Sequence, residues 1–375
     1  MTILQLTSHL DLGGITRYVL TTSQRLIARG HRVIVASDTG HREADVERIG
    51  ATHWCVPLHT SQEFSWPVWR AARTLSQRLR REPVDVIHAH TRVAQVIAER
   101  LSRELGIPYV TTWHGIFKRR LGRRLWPCTG AMTIAISEPV RQHLLHDFRL
   151  APERVRCIHN GIDPQYYGTP PDAPVIRDAR ARWGIPDGCP LIGGVGRLAS
   201  GRVKGFDLIL IATSLLERMV PNVHVVIAGD GPRRPFLEDI ARRLRISERV
   251  HFVGTAEDVR MPLAMMDVFV FPSRWPEGFG LTLIEAMAAG KAVVATRMGA
   301  VSDIVRHDVD GWLVPPEDPA ALAEGIAHLL QDRTSAARLR RQAQQRVAQE
   351  FTLDRMVAAI EAVYRDAASS AGAVR

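Results

Sequence analysis

The chain has 375 residues, a hydrophobic content of 46% and a formal net charge of +10. This length exceeds what one hydrophobic core usually supports, so we expect two domains. The chain contains no run of about 18 apolar residues, and its first apolar stretch is too short for a signal-peptide core. We therefore expect a cytoplasmic protein without a membrane-spanning segment.

The positive charge is unevenly distributed along the chain. Residues 1–168 hold 23 Lys and Arg against 14 Asp and Glu, whereas residues 169–375 hold 26 against 25. The positive field therefore belongs to the first half of the chain.

Short apolar runs alternate with amphipathic segments almost throughout, which is typical of βα units around a parallel sheet. The predicted strands of the first half are 3–6, 33–36, 84–88, 109–112, 132–136 and 156–159. Those of the second half are 191–195, 223–228, 251–253, 268–271, 292–295 and 311–314. The predicted fold class is α/β, with two Rossmann-like, doubly wound parallel-sheet domains.

The domain boundary is predicted between residues 160–163 and Trp183, where the Pro-rich stretch 169–174 breaks regular structure. We assign residues 1–168 to the first domain and 169–353 to the second, followed by a C-terminal helix over about 354–375. Doubly wound sheets bind ligands at the carboxyl ends of their strands, so two facing domains imply an interdomain cleft.

In each half of the chain, a glycine-containing turn follows the first predicted strand. Gly13-Gly14 allows a ligand to approach the start of a helix, although a tight structural turn explains the pair as well. In the second half, Arg197 and Lys204 have the character of a cationic clamp for a diphosphate, the alternative being scattered surface charge. Gly229-Asp230-Gly231 indicates a sharp turn into a helix, and a plain turn is the stronger interpretation.

Several histidines and acids are candidates for chemistry. His114 follows a strand of the first half, where it can hydrogen-bond a sugar hydroxyl or assist proton movement; a structural histidine is the alternative. His88 and His90 lack a third metal ligand, and Asp308-Val309-Asp310 precedes a strand, so structural roles are favoured for both groups. The four cysteines, at positions 55, 128, 157 and 189, show no metal-ligand spacing, and no metal site is predicted.

The segment from Glu277 to Glu285 is the most informative motif. Gly278 and Gly280 permit turn conformations, and a helix is expected from residue 283 to Gly290. A helix start attracts phosphate, whereas nearby carboxylates repel it and suit sugar hydroxyls instead. The combination indicates a nucleotide sugar. The alternative is that Glu285 complements the helix dipole and Glu277 is a solvated loop residue.

Two basic amphipathic segments carry much of the positive charge, one within residues 66–81 and one within 117–126. Such helices with aromatic residues suit the surface of an anionic bilayer, although an ordinary solvated helix face is an alternative. No recognition motif for nucleic acid accompanies the charge. The predicted membrane or acceptor surface consists of Lys118, Arg119, Arg120, Arg123, Arg124 and Trp126.

Taken together, these motifs resemble those of the GT-B glycosyltransferases of family 4, also called group 1. The resemblance covers nearly the whole chain and is strongest from Gly193 to Pro316. It is carried by Gly196-Arg197-Leu198, Lys204-Gly205-Phe206-Asp207, Gly229-Asp230-Gly231, Phe271-Pro272-Ser273 and the Glu277–Glu285 segment, with Gly13-Gly14, His114 and Asn160-Gly161-Ile162-Asp163 in the first half.

The resemblance implies a role for each of these site residues. Glu277 contacts hydroxyls of the donor sugar, Glu285 contacts the ribose, and Arg197 and Lys204 bind the diphosphate. The catalytic set implied is Glu277, His114, Arg197 and Lys204. The other implied donor-binding residues are Gly14, Gly229, Gly278, Phe279, Gly280, Leu281 and Thr282.

The resemblance also implies retention at the anomeric carbon, no obligatory metal or other cofactor, and a final helix that packs on the first domain. The sequence departs from many relatives in two respects. The loop from Arg197 to Lys204 is longer and carries an extra cation, Arg202, and Trp275-Pro276 before Glu277 narrows the approach, which leaves the choice of donor sugar open.

We therefore expect a retaining glycosyltransferase that moves a sugar from a nucleotide-diphosphate sugar to an acceptor hydroxyl. The basic first domain favours a lipid-linked or anionic acceptor at the inner face of the cytoplasmic membrane, such as a lipopolysaccharide, glycolipid or exopolysaccharide precursor. Nucleic acid is not an expected partner. Two alternatives stay open: a nucleotide-sugar epimerase of the same fold, and a catalytically silent nucleotide-sugar-binding scaffold.

Overall fold

The computed structural model describes residues 1–11, 13–58, 60, 62–63, 65–118, 121–201 and 204–372, with side chains as far as residue 369. Contacts within the chain divide it into two compact units. The first unit comprises residues 1–161 together with the helix that follows residue 352, and the second comprises residues 162–352.

A seven-stranded parallel sheet forms the centre of the first unit. Its strands are β1 (Thr2–Leu6), β2 (Arg32–Ser37), β3 (Thr52–Cys55), β4 (Val86–Ala89), β5 (Tyr109–Trp113), β6 (Met132–Ala135) and β7 (Val155–Cys157). They lie in the order β3-β2-β1-β4-β5-β6-β7. The order reverses between β1 and β4, which creates the topological switch point where doubly wound sheets bind ligands.

Helices cover both faces of this sheet. They are α1 (Gly14–Ala28), α2 (Glu43–Arg48), α3 (Trp66–Arg81), α4 (Arg92–Leu105), α5 (Leu121–Leu125), α6 (Glu138–Asp147) and, at the end of the chain, α16 (Leu353–Gly372). One apolar layer includes α3 and α4, and the other includes α1 and α16. In α3 the buried residues Val68, Ala72, Leu75 and Leu79 share one helical face, which explains its packing on the sheet.

A six-stranded parallel sheet forms the centre of the second unit. Its strands are β8 (Leu191–Val195), β9 (His224–Ala228), β10 (Val250–Phe252), β11 (Val268–Phe271), β12 (Ala292–Thr296) and β13 (Trp312–Val314). They lie in the order β10-β9-β8-β11-β12-β13. The switch point is therefore between β8 and β11, and the loops after these two strands hold Arg197, Lys204 and Glu277 of the predicted site.

The helices of the second unit are short or of moderate length. They are α7 (Pro164–Gly168), α8 (Ala173–Arg182), α9 (Phe206–Leu216), α10 (Arg234–Arg243), α11 (Arg260–Met265), α12 (Leu281–Ala288), α13 (Val301–Ile304), α14 (Pro319–Gln331) and α15 (Arg333–Glu350). None of the helices in the described ranges has the combination of length and apolar character needed to cross a bilayer.

The predicted pair of doubly wound parallel sheets is confirmed, and each predicted strand is present within a residue or two. Strand β3 was not predicted, because Trp54 is its only fully buried residue and its sequence contains no apolar run. The contacts divide the chain before Ile162 rather than at the predicted residue 168, since α7 packs against α12 of the second unit.

Candidate active site

The second unit brings two predicted site residues into direct contact. Lys204 Nζ lies 2.5 Å from Glu277 Oε2. The other carboxylate oxygen, Glu277 Oε1, accepts a hydrogen bond from Ser273 Oγ at 2.9 Å. The Glu277 side chain is 14% exposed and that of Lys204 is 34% exposed. The pair therefore combines a fixed carboxylate acceptor with a more accessible ammonium donor.

Gly205 positions Lys204 beside the end of β11. Its φ is +62°, and a Cβ at this position would lie 1.9 Å from the carbonyl oxygen of Pro272. Only glycine permits this backbone approach without displacement of one loop. As a result, the loop after β8 meets the loop after β11, and each strand at the switch point contributes one charge of the Lys204–Glu277 pair.

Helix α12 begins immediately after the loop that carries Glu277. Gly280 is its N-cap residue, no side chain caps the helix, and the first turn contains no acid. The first N–H groups of a helix have no intrahelical acceptor, so those of Leu281 and Thr282 present a partial positive charge. Gly278 and Phe279 precede them, and the buried Phe279 ring packs edge-on against Phe351. This helix start is a suitable anion site.

Glu285 lies deeper in α12 than its predicted role suggests. Its side chain is fully buried, and Oε1 accepts a hydrogen bond from the Tyr167 hydroxyl at 3.3 Å. Tyr167 is on α7, so this contact ties α7 to α12. The assignment of Glu285 to a ribose stays a prediction, and it requires the carboxylate to become accessible to ligand.

Arg197 and Lys204 border one concavity of the second unit, which Arg233 also lines. Arg197 is exposed at the end of β8. Arg233 stacks on Phe236, with its guanidinium carbon 4.3 Å from the ring centre, and its Nη2 atom is buried without a hydrogen bond in the described chain. Three cations thus line one depression. Arg202 lies outside the described residues.

Gly229 has a structural use within the second unit. A Cβ there would lie 2.0 Å from the carbonyl oxygen of Gly196, and its φ is +154°. Leu198 N donates to Asp230 O at 2.9 Å, so the Gly229-Asp230-Gly231 turn is joined to the loop that carries Arg197. This packing matches the plain-turn interpretation, and a direct ligand contact of Gly229 stays a prediction.

In the first unit, helix α1 begins at Gly14 at the switch point beside β1. Gly13 is the N-cap residue, no side chain caps the helix, and its first turn has no acid. A Cβ on Gly14 would meet no described atom within 4 Å. The described packing therefore does not require glycine here, whereas close approach of a ligand to the backbone would.

His114 directly follows β5, next to His90 at the end of β4. His90 Nδ1 and His114 Nε2 are 3.3 Å apart, and Tyr18 packs edge-on against His114 with 4.9 Å between ring centres. The predicted candidate is therefore held on two sides, by one imidazole and one phenol ring.

A buried hydrogen-bond chain continues from His90 to the C-terminal helix. His90 Nε2 lies 2.6 Å from Gln5 Oε1, and Gln5 Nε2 donates to the Tyr364 hydroxyl at 3.2 Å. The Tyr364 hydroxyl lies 2.7 Å from His88 Nδ1, and His88 Nε2 lies 2.6 Å from Thr112 Oγ1. We call the residues from His114 to Thr112 along these contacts the histidine chain.

The histidine chain determines which nitrogen of His114 carries hydrogen. Since Gln5 Nε2 donates to Tyr364, Gln5 Oε1 accepts from His90 Nε2–H. A neutral His90 then accepts at Nδ1, so His114 donates from Nε2 and its Nδ1 is an acceptor. Burial lowers the pKa of His114 to about 3 and that of His90 well below its ordinary value. At neutral pH, His114 is therefore an uncharged hydrogen-bonding group.

The predicted basic surface differs from its expected form. The helix described in this segment is α5, Leu121–Leu125, and it includes neither Phe117 nor Trp126. Arg123 lies over the Trp113 and Phe117 rings, at 5.1 and 4.7 Å from their centres. Lys118 and Arg124 are exposed, whereas Trp126 is half-buried. Arg119 and Arg120 lie outside the described residues.

The acidic pair near β13 is engaged with arginines. Asp308 Oδ1 lies 2.6 Å from Arg338 Nη2, and Asp310 Oδ2 lies 2.6 Å from Arg306 Nε. Arg346 adds a second contact to Asp310 at 3.5 Å. Within the described residues, no group of three or more His, Cys, Asp or Glu side chains is arranged to hold a metal ion.

Three residues that touch or adjoin the site were not predicted from the sequence. Ser273 orients Glu277, Tyr167 holds Glu285, and Arg233 joins the two predicted cations. Ser273 had a usable signal, since it stands in the Phe271-Pro272-Ser273 motif. The other two are a tyrosine and an arginine in ordinary turn and helix sequences, which carry no such signal.

Two family models match complementary parts of the chain. The model described as "Glycosyltransferase Family 4" matches residues 12–166, and "Glycosyl transferases group 1" matches residues 175–346. Among curated proteins, an uncharacterized glycosyltransferase of Methanocaldococcus jannaschii, MJ1607, is 28% identical over 86% of this chain and 86% of its own length.

Solved structures show the same fold. A glycosyltransferase from Rickettsia africae has a TM-score of 0.88, with 21% identity over 97% of this chain and 98% of that one. Anabaena Alr3699/HepE in complex with UDP-glucose has a TM-score of 0.83, with 23% identity over 97% of this chain and 99% of that one. With both of its sheets and nearly all of its length matched in this way, the chain belongs to the GT-B glycosyltransferases of family 4, the group 1 glycosyl transferases.

Proposed function

We propose that this glycosyltransferase moves a sugar from a nucleotide-diphosphate sugar to an acceptor hydroxyl, with retention at the anomeric carbon. The observation that carries the proposal is the Lys204–Glu277 contact beside the uncapped start of α12. It pairs an anion site with a hydroxyl acceptor, the two chemistries of a nucleotide sugar. The complex of HepE with UDP-glucose supports a UDP-sugar as the donor.

The diphosphate is proposed to bind where positive charge converges. The N–H groups at the start of α12 and the side chains of Arg197, Lys204 and Arg233 are the donors available for its oxygens. Glu277, fixed by Ser273, accepts hydrogen bonds from hydroxyls of the transferred sugar. When diphosphate binds, Lys204 exchanges part of its contact with Glu277 for the phosphate.

The proposed reaction needs charge stabilisation at the leaving diphosphate. The bond from C1 to the phosphate oxygen breaks, and the acceptor oxygen bonds to C1 from the same face. The acceptor proton passes to the departing phosphate oxygen. Preorganised cations act where this negative charge develops, and one such donor is worth about a hundredfold in rate. Arg197 and Lys204 have this role, and we propose that the reaction requires no divalent metal.

His114 is proposed to accept a hydrogen bond from a substrate hydroxyl at its unprotonated Nδ1. Its neutral state suits this task, because a charged imidazole would have no acceptor atom. The open backbone at Gly14 is proposed as a further contact of the donor.

The acceptor is proposed to be lipid-linked or otherwise anionic, at the inner face of the cytoplasmic membrane. The support is the excess of 23 basic over 14 acidic residues in positions 1–168. A precursor of lipopolysaccharide, glycolipid or exopolysaccharide has this chemistry. Flotation of the full chain with anionic vesicles at low salt tests the membrane part: co-flotation supports it, and protein left at the bottom of the gradient contradicts it.

A donor screen followed by a turnover assay tests the transferase proposal. The nucleotide sugar that raises the melting temperature identifies the donor, because a ligand of the native state stabilises it. Labelled donor is then incubated with and without candidate acceptors. Acceptor-dependent release of nucleoside diphosphate supports the transferase, epimerised sugar without acceptor indicates an epimerase, and binding without turnover by any acceptor indicates a scaffold.

Metal independence is tested in the same assay. Activity retained in excess EDTA is the expected result, since Arg197 and Lys204 supply the charge. Activity that is lost in EDTA and restored by added Mg²⁺ or Mn²⁺ would contradict this part of the proposal.

A further inference from the structure

An apolar groove lies between α3 and α4 of the first unit, remote in sequence from the proposed donor site. Its floor is formed by Val68, Ala72, Val96 and Ile97, all of them buried. The cavity volume is about 290 Å³. Ligand pockets range from roughly 300 to 1,000 Å³, so this groove is at the narrow end.

Two tryptophans also line the groove, and each lies under an arginine. Trp69 is 42% exposed, and the Arg100 guanidinium carbon lies 4.4 Å from its ring centre. The Arg103 guanidinium carbon lies 5.5 Å from the Trp126 ring centre. The groove thus combines apolar surfaces with cations that are attracted to the faces of the indole rings.

The charge at the groove is net positive. Arg103 shares its charge with Glu99 at 2.6 Å, and Glu104 is paired with Arg80 at 3.0 Å. Arg100 makes no direct ion pair in the part of the chain that the structure describes, and it lies close enough to Glu104 to act on that carboxylate electrostatically. An anionic group placed at Arg100 therefore gains an arginine partner that is not held in a direct ion pair.

Exposed apolar side chains lie close in sequence to one residue that lines the groove. Trp126 directly follows α5, whose Leu121 and Leu125 are 70% and 75% exposed. Exposed apolar side chains next to cations are typical of surfaces that contact the interface of a bilayer.

We propose that this groove binds one hydrocarbon chain of an anionic lipid, with the chain beside Trp69 and Trp126 and the charged headgroup at Arg100. A peptide would bring backbone polar groups that the apolar floor cannot satisfy. A hydrocarbon chain brings none, and each buried methylene contributes about 0.8 kcal/mol. The proposal does not depend on the sugar-transfer reaction, because lipid binding is measured without donor or acceptor.

Calorimetric titration of the full chain with dodecyl phosphate, below its critical micelle concentration, tests the proposal. The expected result is saturable binding of one molecule per chain. Inorganic phosphate supplies the charge without the chain, and dodecyl maltoside supplies the chain without the charge. Both should bind at least tenfold more weakly. No saturable binding of dodecyl phosphate, or equal binding of inorganic phosphate, would overturn the proposal.

Paired variants locate the site. Trp69→Ala and Arg100→Glu should each weaken dodecyl phosphate binding about tenfold or more, a change of about 1.4 kcal/mol for each factor of ten. Trp66→Ala and Arg73→Glu are matched controls: both residues are exposed on α3 and do not line the groove. The controls should bind within about twofold of the unaltered chain. Equal losses in both pairs would show general surface association and refute a groove site.

Discussion

Gly205 shows how one residue determines the geometry of the proposed donor site. Gly205→Ala should destabilise the protein by more than the cost of the left-handed conformation alone, which is roughly 1–2 kcal/mol. The added Cβ also meets Pro272 O at 1.9 Å. Gly188→Ala is the matched control, because Gly188 has a φ of +71° and open space around it.

Urea denaturation of the two glycine variants measures the difference. Gly188→Ala should be destabilised only by the cost of the left-handed conformation. Gly205→Ala should be destabilised further, and it should also lose activity because Lys204 moves. Equal stability of the two variants would show that the loop relaxes freely and that Gly205 does not hold Lys204 in place.

At the scale of residues, sequence predicted the charged groups but not how they pair. Lys204 and Glu277 were both assigned to the site, yet they are separated by 73 positions in the chain. Their contact depends on the backbone approach at Gly205, which no local pattern encodes. The burial of Glu285 could not be predicted from the sequence either, since a carboxylate in a helix is normally expected at the surface.

At the scale of elements, the apolar runs predicted every strand that carries them. Strand β3, at the edge of the sheet, was not predicted because few of its residues are buried. The spacing of apolar residues over 117–126 predicted a longer helix than α5. Leu121 and Leu125 do not pack on a core, and helical periodicity alone cannot tell an apolar face that is buried from one that is exposed.

Helix α16 contributes Tyr364 to the histidine chain, and its hydroxyl should influence the tautomer of His114. Tyr364→Phe removes the acceptor for Gln5 Nε2 and the partner of His88 Nδ1. Gln5 can then reverse its amide, and His114 should change from a single Nε2–H tautomer to a mixture. Long-range ¹H–¹⁵N NMR of histidine-labelled protein reports the tautomer, and His114→Gln assigns the signal.

Tyr109→Phe is the matched control for the tautomer measurement. It removes another mostly buried phenol hydroxyl from the first unit, one that donates to Glu99, a residue outside the histidine chain. It should leave the His114 signals unchanged. A His114 tautomer that is the same in all three proteins would show that Tyr364 has only a packing role.

The buried histidines should make stability depend on pH. Burial lowers the pKa of His88 to about 3, whereas the unfolded chain titrates near 6.5. Between these values the unfolded state binds more protons, so the free energy of unfolding falls as the pH falls. His88 alone contributes a slope of about 1.4 kcal/mol per pH unit.

Urea unfolding at several pH values between 6 and 4 checks this dependence. His88→Gln keeps hydrogen-bonding groups toward Thr112 and Tyr364 but does not titrate, so its slope should be smaller by about 1.4 kcal/mol per pH unit. Identical slopes for the unaltered chain and the variant would contradict the assignment of a buried, neutral His88.

At the scale of the whole molecule, composition and strand pattern were sufficient to predict two doubly wound units and the uneven charge. The division of the chain before Ile162 was harder to predict from the sequence, because it depends on contacts of α7 with α12 and not on the Pro-rich stretch. Of all these features, the acceptor is the one that the sequence predicts least well. Its recognition rests on surface charge and shape, which many sequences can produce.

Lys204 and Glu277 are proposed to act on the donor in sugar transfer. Steady-state kinetics with the donor found by screening compares the unaltered chain with Lys204→Ala, Glu277→Gln and an exposed control, Glu248→Gln. Both site variants should lower kcat/KM about a hundredfold or more. Only Lys204→Ala should also weaken binding of the free nucleoside diphosphate, and the control should be unchanged. Full activity of both site variants would contradict a role of Lys204 and Glu277 in transfer.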